Sequence, residues 1–147
     1  MSEITSSNSI LYSRLLLGKA RHLLDRARQK ELAPLRISSR QASILTVIED
    51  LGENANLTEL AMRTDRSINT LSTQLTRMEN DGLVKKIREI PKSNKLRFDL
   101  TEKGINACKE VKKIKSLRVI MSSLSEEERQ QFISLLEKII DKAQKYH

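Results

Sequence analysis

Few side chains in this 147-residue chain are of the kinds that do covalent chemistry. There is one cysteine, Cys108, and there are two histidines, His22 and His147, too few to assemble a Cys/His metal cluster. No Gly-rich phosphate loop occurs, and the carboxylates fall on helix starts and charged faces rather than in pairs spaced for acid–base work. An enzyme is disfavoured, and no catalytic residue, metal or cofactor is expected. What the residues offer instead is non-covalent recognition. A helix from Ser67 to Asn80 that puts Ile68, Leu71, Leu75 and Met78 on one face, at about 100° per residue, turns Asn69, Thr70, Thr73, Thr76, Arg77 and Asn80 to the other. That second face is polar and nearly free of acid. Its short hydroxyl and amide groups can approach bases or phosphates closely, and Arg77 can reach a phosphate or a guanine edge. Ser67 is the expected N-cap.

A second basic feature follows directly. Between Lys85 and Arg97 stand six basic residues, Lys85, Lys86, Arg88, Lys92, Lys95 and Arg97, against one acid, Glu89. The stretches Leu83–Ile90 and Leu96–Leu100 alternate and are β-rich, and Pro91-Lys92-Ser93-Asn94-Lys95 lies between them as a turn, so the segment reads as a hairpin with a basic tip. A basic hairpin after a reading helix has the layout of a wing, which lies along phosphates or enters a minor groove. The candidate DNA-contacting set is therefore Arg66, Ser67, Asn69, Thr70, Thr73, Gln74 and Arg77, with Lys85, Lys92, Asn94 and Lys95 on the hairpin. Each half has a plainer alternative: a solvated Ser/Thr/Asn-rich surface helix, and an edge hairpin whose lysines only block aggregation.

The elements that must position these residues are mostly helices. Ile10, Leu17, Ala20, Leu24 and Ala27 recur at helical spacings, predicting a long amphipathic helix that ends near Pro34. A serine cap at Ser38 or Ser39 opens a second helix that stops near Gly52, and the Glu53–Asn56 segment reads as a loop. Leu57, Leu60 and Ala61 mark a short helix, and Thr64 to Arg66 the turn before the reading helix. Beyond the hairpin, Thr101 caps a helix whose apolar face (Ile105, Cys108, Val111, Ile114, Leu117 and Ile120) predicts continuity to about Met121. Ser125 opens a last helix, with Glu126, Glu127 and Glu128 complementing its dipole and an apolar stripe from Phe132 to Ala143. The fold class expected is mainly α with a small β-hairpin wing: a winged helix-turn-helix with N- and C-terminal helices.

Composition fits this picture. Lys and Arg outnumber Asp and Glu by 27 to 19, a net charge of +8 that gives the long-range field of a nucleic-acid binder. A lone cysteine suits a reducing compartment and reads as a small core residue. No stretch reaches the roughly 18 apolar residues of a membrane span, and the N-terminus has no secretory pattern, so a cytoplasmic location without membrane contact is expected.

In this order of elements, the sequence resembles the MarR family of transcription regulators across nearly its whole length. The likeness is strongest in Leu57-Thr58-Glu59-Leu60-Ala61, in Thr70 to Met78 with Arg77, in Gly82-Leu83-Val84 and in Leu100-Thr101-Glu102-Lys103-Gly104. The resemblance implies an obligate homodimer, with residues 8–33 and 105–146 as a helical dimerisation lobe and 38–104 as the winged DNA-binding module straddling a pseudo-palindromic double-stranded site. The apolar stripes of the terminal helices, larger than a lone small core needs, agree with that. The resemblance also implies a repressor released by a small anionic or aromatic effector bound between lobe and module. Family wings usually carry an Asp-x-Arg signature, whereas Pro91–Lys95 holds no arginine, leaving Lys92 or Lys95 as point charges without a flat guanidinium. Thr73 stands where many members have arginine. Two alternatives stay open: a winged-helix architectural or replication-associated protein with little sequence preference, and a dimeric helical adaptor for an acidic partner.

Overall fold

The order of elements follows from caps and stops written into the chain. A computed structural model describes residues 6–64, 66–88 and 96–146. Helix α1 (Ser6–Leu32) ends where Pro34 enters a single 3-10 turn over Ala33–Leu35. Helix α2 (Ser39–Leu51) starts on a reciprocal cap, in which the Ser38 hydroxyl accepts from Gln41 N and the Gln41 side chain accepts from Ser38 N. Gly52 ends it at φ 55 and ψ −120, a combination that favours glycine.

The next four residues are more ordered than a loop. Gly52–Asn54 form a 3-10 turn, and Ala55–Asn56 lie beside the hairpin: Phe98 N donates to Ala55 O at 2.9 Å, and Asn56 bridges to Arg97. The Asn56 side chain then caps helix α3 (Leu57–Thr64) by accepting from Glu59 N. Helix α4 (Ile68–Asn80) and the antiparallel strands β1 (Val84–Arg88) and β2 (Leu96–Leu100) follow. Their register pairs Val84 with Leu100 and Arg88 with Leu96.

Thr101 caps helix α5 (Glu102–Lys112), its hydroxyl accepting from Gly104 N. The expected continuous helix to Met121 is not what forms. The chain breaks over Lys113–Lys115 and restarts as helix α6 (Ser116–Met121), followed by helix α7 (Glu126–Lys145), which is capped by Ser125 and Glu128. No Gly or Pro marks the break. It divides one apolar stripe between two destinations: Cys108 and Val111 sink into the core, while Val119 and Ile120 are exposed.

The chain divides into two compact units, residues 1–114 and 115–147. The core belongs to the first. Leu32, Leu45, Ile48, Leu60, Leu71, Leu75, Met78, Val84, Phe98 and Cys108 belong to one buried cluster drawn from α1, α2, α3, α4, the hairpin and α5. At about 25 cal/mol per Å² of apolar surface removed from water, this cluster is the main force seating α4 and the hairpin. In the second unit no residue of α7 is buried, and Leu135 and Ile139 are more than half exposed.

Candidate nucleic-acid interface

Helix α4 is fixed at one end by a side-chain cap and at the other by backbone bonds. At the N-terminus the Ser67 hydroxyl accepts from Thr70 N at 3.1 Å and donates to Thr70 Oγ1 at 2.8 Å. At the C-terminus the chain makes a paired reversal: Leu83 N donates to Met78 O at 2.8 Å and Gly82 N to Glu79 O at 3.0 Å, with Gly82 at φ 75. This two-bond closure satisfies helix carbonyls and needs a residue without Cβ at the left-handed position, which is what Gly82-Leu83 provides. Buried Leu83 then starts the chain directly into β1.

The foot of the hairpin is locked in turn. Thr101 N donates to Leu83 O, the Thr101 hydroxyl donates to Gly82 O, and Lys103 Nζ donates to Asp81 O. Gly104 allows this approach, since a Cβ there would lie 2.0 Å from Leu83 O. The angle between reading helix and hairpin is therefore set by two glycines, one threonine and one buried leucine. In the sequence Gly82 and Gly104 stand out only as points of family likeness; their packing role arises in the folded chain.

Of the apolar stripe expected on α4, Leu71, Leu75 and Met78 are buried, but Ile68 is half exposed. It occupies the first helical position, one turn before the helix meets the core. Asn69, Thr70, Thr73, Thr76, Arg77 and Asn80 are exposed, as the spacing predicted, and Ser72, which was not singled out, joins them. The outward face carries no acid; Glu79 is half-buried and pairs with Lys86 across to the hairpin at 3.9 Å. Lys85, Lys86 and Arg88 are exposed on β1. Lys92, Asn94 and Lys95 lie outside the described residues, as does His147.

Arg66 and Gln74 are half-buried and turn toward the other side of α4, where with Thr70 they line an open cavity of about 640 Å³. Its remaining wall comes from α1, α2 and α3, and it is strongly cationic: Arg21, Arg28, Arg40 and Arg63 line it with His22, against Asp25. Burial pulls the Arg28 guanidinium below its usual range, with Asp25 acting in the opposite direction, and Arg28 donates to Ser43 Oγ at 3.1 Å. Arg63 is held by Asp50 at 2.6 Å. Sequence reasoning missed this group because its members are scattered over three helices and share no spacing.

Cys108 is fully buried beside the ion pair of Glu49 and Lys112, and burial with the neighbouring carboxylate pushes its thiol up to about 11. A thiol so protonated is a poor nucleophile. Among the described residues no cluster of His, Cys, Asp or Glu could hold a metal ion, and no helix is long and apolar enough to cross a membrane.

Residues 37–90, which run from the start of α2 through β1, match the model of the MarR family. The likeness to the MarR family model is thus carried by the winged module. A search of curated proteins found no significant match. Among solved structures, AbsC of Streptomyces coelicolor, a MarR family transcriptional regulator, is similar with a TM-score of 0.83 at 23% identity, over 99% of this chain and 100% of that one. A mutant MarR from E. coli, complexed with operator DNA, gives a TM-score of 0.77 at 21% identity over 92% and 98%. The organohalide-sensing transcriptional regulator RdhR, bound to 2,4-dichlorophenol, gives 0.77 at 25% identity over 94% and 82%. The first two likenesses establish the winged-helix fold of MarR proteins for this chain, including its two-stranded hairpin.

Proposed function

We propose that this chain is a regulator of the MarR family: a dimeric, sequence-specific DNA-binding protein that represses transcription by occupying promoter DNA and is released by a small anionic effector. The observation that carries this reading is the outward face of α4: polar, acid-free and held at a fixed angle to a basic hairpin. The helix would lie in a major groove with Asn69, Thr70, Thr73 and Arg77 toward base edges, and Ser67 at its capped start near a phosphate. Lys85 and the hairpin tip with Lys92, Asn94 and Lys95 would follow the flanking backbone. Arg66 and Gln74, on the cavity side, have a smaller part in contacting DNA and a larger one in linking it to the effector.

Dimerisation is supported by apolar surface with no cover in either unit. Ile10 and Leu15 on α1 are 71% and 67% exposed, and Leu135 and Ile139 on α7 are 59% and 57% exposed. Soluble monomers rarely leave such stripes to water, and a second copy of the same helices, within 8–33 and 105–146, would cover them. Two modules so joined would read a pseudo-palindromic site.

The arginine-lined cavity suits an anionic or aromatic compound, because guanidinium groups bind carboxylates in a flat, forked geometry and stack on rings. Thr70, Leu71 and Gln74 of α4 form one wall. A ligand there touches the back of the reading helix, so any difference in its fit between the free and DNA-bound shapes becomes a difference in DNA affinity.

Selection of bound sequences from random double-stranded DNA tests the reading. A palindromic consensus bound far more tightly than its scrambled version is the expected result. Equal affinity for scrambled DNA at the same salt would overturn the regulator reading in favour of an architectural DNA-binding protein.

A further inference from the structure

The outward face of α4 is rich in hydroxyl groups, and the structure shows two of them donating to their own helix. Thr73 Oγ1 donates to Asn69 O at 3.1 Å and Thr76 Oγ1 donates to Ser72 O at 2.9 Å. Each hydroxyl is folded back four residues onto its own helix, a bond that a helical threonine readily makes. Both side chains are nonetheless exposed. Of the two heavy atoms on each Cβ, the oxygen is tied to the backbone, so the γ-methyl is the one left to face outward.

We propose that Thr73 and Thr76 act through these methyl groups, reading the C5-methyl of thymine in the major groove. The inference rests on the DNA-binding reading above and names what that face recognises. Thymine is the base that offers an apolar group in the major groove, and a threonine methyl is a suitable partner for it. The spacing agrees. Residues three apart on a helix share a face and are separated by about 4.5 Å along the axis, close to the roughly 3.4 Å step between stacked bases on one strand. The two methyls can therefore meet thymines at neighbouring positions. Asn69 and Arg77, one turn to either side of Thr73, add longer hydrogen-bonding side chains to the same exposed face.

The test uses the best site from the random-DNA selection, with each thymidine replaced in turn by deoxyuridine, which removes the methyl and keeps the pairing. Binding of the full-length protein at fixed salt should weaken about three- to fivefold at one or two positions in each half-site, the factor for losing one buried methyl contact. The variants Thr73→Val and Thr76→Val keep the methyl and lose the hydroxyl. They should retain the deoxyuridine penalty. Thr73→Ser and Thr76→Ser keep the hydroxyl and lose the methyl, and should bind more weakly with the penalty gone. A wild-type protein that prefers the selected site but ignores every deoxyuridine, or valine variants that bind worse than the serine variants, would overturn the methyl readout alone. A wild-type protein without preference for the selected site over scrambled DNA would overturn the DNA-reading function and the methyl readout with it.

Discussion

Replacing Gly104 by alanine sets two ordinary effects against each other, and the geometry says which wins. In an open helix the change stabilises by about 1 kcal/mol, because glycine is a poor helix former. At this position the added Cβ would stand 2.0 Å from Leu83 O, 3.1 Å from Leu83 C and 3.4 Å from Leu100 Cβ. Normal contact begins near 3.4 Å, so α5 and the Leu83 peptide must separate by about 1.4 Å, and the obstacle is backbone. Overpacking of this kind costs about 1–3 kcal/mol. Separation also strains the bond from Thr101 N to Leu83 O, worth about 1 kcal/mol. The balance is a net loss of about 1–3 kcal/mol. For a chain of this size each kcal/mol moves the melting temperature by roughly 2–4 °C, so Gly104→Ala should melt about 2–12 °C lower at equal protein concentration. Amide exchange should show loss of protection at Thr101. A variant that melts at or above the wild-type temperature, with Thr101 still protected, would refute the close seating of α5 on the hairpin's foot.

Other outcomes follow from the same structure. Arg77→Ala should weaken binding to the selected site by about 1–3 kcal/mol and relax preference at one base position, as measured by titration against single-base variants. Replacing Lys92 and Lys95 together should instead weaken binding to all sequences and reduce the slope of log affinity against log salt by about 0.9 per lost phosphate contact; an unchanged slope would remove the hairpin tip from the contact surface. Leu15→Glu and Ile139→Glu, each placing a charge on an apolar stripe, should shift the protein from dimer to monomer in sedimentation, and a dimer that persists in both would place the interface elsewhere. Cys108 should resist iodoacetamide at pH 8 until the protein is unfolded. Its thiol is raised from 9.0 to about 11, so its contribution to stability is complete below pH 9 and is lost as pH climbs toward 11. Cys108→Ala should flatten that decline, and an identical decline in the variant would exclude the thiol as its source.

The sequence alone determined what depends on nearest neighbours along the chain. Ser67, Thr101, Ser125 and the pair Ser38/Ser39 announced four helix starts because a cap is a bond between residues three apart; in the structure Ser38 is the cap of its pair, and the other three also serve. The buried and exposed sides of α4 beyond its first turn were readable from a period of about 3.6 residues, and the hairpin from its alternation. Tertiary structure decided whatever depends on distant partners. It broke the helix after Lys112, where no Gly or Pro stands, between the buried Cys108 and Val111 and the exposed Val119 and Ile120. It drew Ala55 and Asn56 against β2, exposed Ile68, and set Arg66 and Gln74, both candidates for DNA contact, in the wall of a cavity. It also assembled that cavity's arginines from helices with no common spacing. The residues of the outward face of α4 were thus legible, but their hydrogen bonding was not: from the sequence Thr73 and Thr76 are free hydroxyls, and only the folded helix commits them to the carbonyls of Asn69 and Ser72.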